Sequence, residues 1–136
     1  MGDLFHPDAK DKWIQAVFDS IYRYRHHKYL ILTKRPDRML ELLDTILRGA
    51  YSLSNWSKNA LPDHLWVGVT AENQQRADER IPILLQIPAA VRFVSVEPML
   101  GPVGLDEIEE NEGYLNSLTG VCHNVLADYK GIGPKI

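Results

Sequence analysis

The sequence predicts an α/β fold, with a parallel sheet of about three strands joined by helical crossovers. Two observations carry this. Apolar runs at 29–33 (YLILT), 65–70 (LWVGVT) and 91–96 (VRFVSV) are too short for helices and suit buried strands. Between them lie segments whose apolar residues recur with helical period, and a strand that returns through a helix runs parallel to its predecessor, with a right-handed crossover.

The elements follow in order. Trp13, Ile14, Val17, Phe18 and Ile21 fall at helical spacing, predicting an amphipathic helix over 8–25 with Pro7 ahead of it. YLILT then reads as a strand covered on both faces. Met39, Leu40, Leu42, Leu43, Ile46 and Leu47 repeat as a second helix, with Pro36 in its first turn and Gly49 just past its end. Residues 51–63 (YSLSNWSKNALPD) form a long polar loop anchored by Trp56. After LWVGVT a third helix spans 72–86 on Ala77, Ile81, Leu84 and Leu85, and Pro82 is expected to kink or split it. VRFVSV makes the third strand. Beyond Leu105, residues 106–113 (DEIEENEG) read as a solvated acidic loop, and 114–129 as a further helix built on Leu115, Leu118, Val121, Val125 and Leu126. The chain therefore divides into 1–105, the α/β body, and 106–136, an acidic loop with a C-terminal helix or tail.

Composition narrows the function classes. The chain has 136 residues, 45% of them hydrophobic, which is the size of one domain able to bury a real core. Fifteen basic against 18 acidic side chains leave a net charge of -3, which argues against a general pull towards nucleic acid or an anionic membrane surface, so any anion site must be a local cluster. Cys122 is the only cysteine, which rules out a disulfide within the chain, a thiolate zinc site or an iron-sulfur cluster held by this chain alone. No apolar run reaches the roughly 20 residues of a membrane span, and the first ten residues carry no signal-peptide core, so a cytoplasmic location is expected.

In parallel α/β sheets ligands bind beyond the carboxyl ends of the strands, where loops converge and helix starts point free N–H groups at one crevice. Here those ends carry Thr33, Lys34 and Arg35 after the first strand, Thr70, Glu72 and Asn73 after the second, and Ser95 and Glu97 after the third. Thr70, Glu72 and Asn73 also suit the start of a helix, and Glu97 before Pro98 also suits a turn. Lys34 and Arg35 do not suit theirs, because cations at a helix start lose about 0.3–1 kcal/mol each. Either acidic neighbours such as Asp37, Glu72 or Glu97 match them, or they hold an anionic ligand, a phosphate or carboxylate. The histidines show no zinc-ligand spacing, RYRHHK (23–28) reads as a solvated helix end, and Cys122 and His123 are adjacent and diverge on a helix. GIGPK (131–135) is similar to the turn of a helix-hairpin-helix module, although no second helix follows it, and it also reads as a frayed terminus.

DLFH (3–6), LILTKRPDRM (30–39) and LWVGVTAENQQRADERIPILLQIPAAVRFVSVEPMLGPV (65–103) together resemble the phage gene-product 37/68 family, over roughly 3–105. The resemblance implies a radical S-adenosylmethionine-like partial or full β/α barrel whose cysteine-rich segment binds an iron-sulfur cluster. In the family that segment precedes DLFH, whereas here Met1 and Gly2 stand directly before it, and the further strand and glycine-rich turn expected after Leu105 are not legible. The expectation is a truncated barrel remnant or subunit, phage-associated, that binds a small anionic ligand at the strand ends and is not catalytic alone, with no cofactor held within this chain. One alternative is an enzyme of another class using Glu97 or Glu72 as acid or base with Lys34 and Arg35 clamping the substrate. Another is a DNA-associated protein using GIGPK and RYRHHK. Open sheet edges call for cover, from a homodimer or a companion chain.

Overall fold

The structure, a computed structural model, describes residues 2–47, 60–110, 113–118, 121–124 and 130–132. Helix α1 (Asp11–Arg23) leads into strand β1 (Tyr29–Thr33), helix α2 (Pro36–Leu47), strand β2 (Leu65–Thr70), helix α3 (Gln74–Gln86) and strand β3 (Val91–Ser95). The three strands form one parallel sheet in the order β1-β2-β3, pairing Tyr29 with Leu65 through Thr33 with Val69, and Trp66 with Val91 through Thr70 with Ser95. The α/β class and its three parallel strands are therefore as the pattern of apolar runs predicts.

The core lies between this sheet and its helices. Ile14, Phe18 and Ile21 of α1, Met39, Leu43 and Ile46 of α2, and Ala77, Ile81, Leu84 and Leu85 of α3 meet Ile31, Val67 and Val69 of the sheet. α2 packs against α3, and α3 against β2 and β3, so both crossover helices cover the same face. Alternate strand residues turn their backs on this core. Leu30 is 60% exposed and Leu32 41%, which corrects the expectation that β1 is covered on both faces. The reason is topological: with both crossover helices on one side, the period-two alternation of β1 sends Leu30 and Leu32 to the other. On that open face Phe93 stands beside Gly68, with its carbonyl 2.6 Å and its ring 2.7 Å from where a Gly68 Cβ would be, so the phenyl ring takes the place of the missing side chain.

Pro82 does not split α3, which runs unbroken from Gln74 to Gln86. A proline removes one N–H donor, and the buried Ile81, Leu84 and Leu85 on either side of it hold the segment to the core. Arg23 lies in the last turn of α1, and the rest of RYRHHK follows the helix as exposed chain. Gly49 and most of the expected loop at 51–63, including Trp56, lie outside the described residues, as do 133–135 of GIGPK.

The largest correction concerns the C-terminal part. The helix expected over 114–129 is replaced, in its described residues, by strands: β4 (Ile108–Glu110), β5 (Gly113–Asn116), β6 (Val121–Asn124) and β7 (Lys130–Ile132) form a second, antiparallel sheet in that order. Burial here has period two: Tyr114 is exposed, Leu115 buried. The Asn116 side chain accepts from the Leu118 N–H at 3.2 Å, a local turn that competes with helix and leaves Leu118 52% exposed. The acidic stretch is not wholly solvated either, because Ile108 is fully buried and joins Leu115 in the main core. β4 packs on α3, where the Glu109 N–H donates to the Asp78 carboxylate at 3.1 Å.

A candidate site of paired charges at the strand ends

The carboxyl ends of β1 and β2 bring their polar side chains together, whereas Glu97 after β3 makes no hydrogen bond or ion pair with them among the described residues. β1 ends at Thr33, whose buried hydroxyl donates to both carboxylate oxygens of Asp3, at 2.7 and 2.9 Å, and accepts from the Arg35 N–H at 3.0 Å. Asp3 also accepts from the Lys34 N–H at 3.1 Å, the Phe5 N–H at 2.9 Å and the Arg35 guanidinium at 2.9 Å. One carboxylate thereby satisfies the approach to α2 and supplies the negative charge that its start favours, while Pro36 enters the first turn without needing a donor.

Lys34 takes the other direction. Its ammonium donates to Glu72 Oε1 at 2.5 Å, and Glu72 Oε2 accepts from Arg80 of α3 at 2.8 Å; Arg80 also donates to the Thr70 carbonyl at 2.5 Å. Glu72 is thus clamped between a half-exposed lysine and an arginine whose side chain is only 12% exposed. Burial raises the pKa of both carboxyls, but the donors overcome it: Thr33, the Lys34 and Phe5 N–H groups and Arg35 hold Asp3 below its ordinary value, and Lys34, a backbone N–H and the charges of Arg80 and Lys34 do the same for Glu72. Both are carboxylates near neutral pH.

The puzzle of two cations at a helix start is answered by ion pairing, Lys34 with Glu72 and Arg35 with Asp3. Glu72 was among the expected partners; Asp3 and Arg80 were not. Asn73 caps α3, its side chain accepting from the Arg76 N–H at 3.0 Å. Thr70 is buried and offers its carbonyl to Arg80; the Ser95 carbonyl accepts from the Ala71 N–H at 2.9 Å. The chain after β3 folds back, the Leu100 N–H donating to the Glu72 carbonyl at 2.7 Å, and this turn leaves Glu97, Met99 and Leu100 exposed. Asp3 sits in DLFH, yet no local pattern links it to a threonine 30 residues on. Arg80 lies on the helix face two turns beyond Glu72, a spacing that helical periodicity makes visible only once Glu72 is known to point that way.

Fold and rim together define an α/β protein with a charge-paired cluster beyond the carboxyl ends of three parallel strands. A family model described as a protein of unknown function, DUF5131, matches residues 1–126, and this chain belongs to that family. Neither the curated proteins nor the solved structures yielded a match. No helix among the described residues is long and apolar enough to cross a membrane.

Proposed function

We propose that the rim formed by Thr33, Lys34, Arg35, Thr70, Glu72, Asn73, Ser95 and Glu97 binds a small anionic ligand, and that the chain is a phage-associated, radical-S-adenosylmethionine-like barrel piece that is not catalytic alone. The observation that carries ligand binding is the state of Lys34. Its side chain is 48% exposed although paired, and among the described residues one of the three donors on its ammonium is taken, by Glu72. Arg35, 37% exposed, likewise spends one guanidinium contact on Asp3. Three cations, Lys34, Arg35 and Arg80, are thus gathered on the two carboxylates Asp3 and Glu72, with Asp37 in the first turn of α2, and the two cations nearest the helix start keep donors turned to solvent.

The barrel reading rests on the resemblance of residues 3–105. A radical enzyme's cluster needs three thiolates, and Cys122 alone does not fit that requirement. Calorimetric titration of the full chain with inorganic phosphate, acetate and S-adenosylmethionine tests the binding reading. Binding of at least one, weakened about tenfold or more in Lys34→Ala and Arg35→Ala variants that keep the wild-type circular dichroism, is expected. Absence of binding by all three, or affinity unchanged in both variants, refutes it.

A further inference from the structure

We infer that the anion held at this rim carries an apolar body, which lies on the open face of the parallel sheet. This deepens the proposed anion site and rests on it. On β1 Leu30 and Leu32 alternate out of the core, flanked just beyond the strand ends by Lys28 and Lys34. Leu30 and Leu32 are 60% and 41% exposed, and the register places Trp66 and Val91 beside the first and Gly68 and Phe93 beside the second. The Lys28 ammonium stands 5.9 Å from the Trp66 ring, which confirms that the even-numbered positions of β1 and β2 share this side. Because residue 68 has no side chain and the Phe93 ring leans into its place, the middle of the face is low and apolar while its β1 margin is raised by two leucines.

One step further along each strand the same face becomes polar, with Lys34 after Leu32, Thr70 after Gly68 and Ser95 after Phe93. The apolar surface therefore ends at the chain position of Lys34, whose side chain is 48% exposed beyond its contact with Glu72, and exposed Met99 and Leu100 lie on the turn bound to the Glu72 carbonyl. A simple phosphate would use the rim and leave the leucines in water. A carboxylate with an aliphatic or aryl tail would use both, because each buried methylene tightens binding by about fourfold and the head group finds its cation at the end of the apolar strip. The charge at that end selects an anion over an amine of the same shape.

Octanoate, acetate and octylamine, titrated calorimetrically into the full chain, separate these contributions. Octanoate is expected to bind at least about tenfold tighter than acetate, and octylamine to bind at least about tenfold weaker than octanoate. Replacing both leucines, Leu30→Ser with Leu32→Ser, removes exposed side chains rather than core, so the fold, checked by circular dichroism, is retained; octanoate should then fall to the affinity of acetate, which itself stays unchanged. Acetate and octanoate binding equally, with both lost in Lys34→Ala, would leave the anion site standing and sink this inference. Octylamine binding as tightly as octanoate would sink it too. So would a dimer in sedimentation that the double leucine variant dissociates while octanoate has no effect, since the face would then belong to a second copy of the chain. No binding of either carboxylate removes this inference and counts against the anion site as well.

Discussion

Glu72→Ala is the most informative perturbation of the rim, because the two cations that Glu72 clamps differ sharply in exposure. Removing the carboxylate leaves Arg80 with its side chain 12% exposed and its charge unmatched, though still donating to the Thr70 carbonyl. Breaking a buried pair costs about 3–5 kcal/mol when one charge is left behind; the retained carbonyl contact lowers that to about 2–4 kcal/mol. Lys34, 48% exposed, is hydrated when its partner goes, so its side of the bridge contributes at most about 1 kcal/mol. Glu72→Ala should therefore cost about 3 kcal/mol and Lys34→Ala about 0.5 kcal/mol. For a domain of this size, with a urea slope of about 1.5 kcal/mol/M, the first moves the unfolding midpoint by about 2 M and the second by about 0.3 M, at unchanged slope. The Glu72→Leu with Arg80→Met double variant, which leaves neither charge buried, should recover most of the loss. Urea titrations followed by circular dichroism at pH 7 measure all three. If Glu72→Ala and Lys34→Ala agree within about 0.5 kcal/mol, or the double variant is no better than the single, the reasoning that burial of Arg80 dominates is wrong.

Asn73→Ala removes the side-chain acceptor that caps α3 and should cost about 1 kcal/mol in the same titration, while Asn73→Ser should be nearly neutral; equal losses would show that the cap is not the cause. Gly68→Ala places a Cβ 2.6 Å from the Phe93 carbonyl and should cost about 1–3 kcal/mol, only partly relieved by adding Phe93→Ala because the backbone contact remains; a neutral Gly68→Ala would contradict the close strand approach. Stability should also fall in acid. Asp3 and Glu72 have folded pKa values below their ordinary 3.8 and 4.5, so in the interval between the two sets of values the unfolded chain binds more protons than the folded one. Their contribution is complete above about pH 5 and is lost as pH falls through the lowered values. Asp3→Asn and Glu72→Gln should each flatten that part of the stability profile, and an unchanged slope in both would mean that other carboxyls govern it.

Much of this was legible along the chain. YLILT, LWVGVT and VRFVSV announce strands by length and apolarity, the period of Met39, Leu43 and Ile46 announces α2, and Lys34 with Arg35 betrays an uncompensated charge because helix starts do not want cations. These are properties of neighbours in sequence, and neighbours suffice to state them. The misreadings were of another kind. The residues after Tyr114 admit both helical spacing and alternation, and the choice went to strands where Leu115 could reach the core beside Ile108 and Asn116 could close a turn. Leu30 and Leu32 look like core residues until the helices are seen to share one face.

What the sequence determined alone is the alternation of strand and helix and the presence, at one strand end, of two cations that require a negative partner. What only the tertiary structure decided is their partners and their exposure. Asp3 meets Thr33 across 30 residues, Glu72 meets Lys34 across 38, and β1 leaves Leu30 and Leu32 exposed on the face away from the helices. An ion pair acts over a few ångströms of space, and nothing in the order of residues states which distant groups the parallel sheet will bring to that distance.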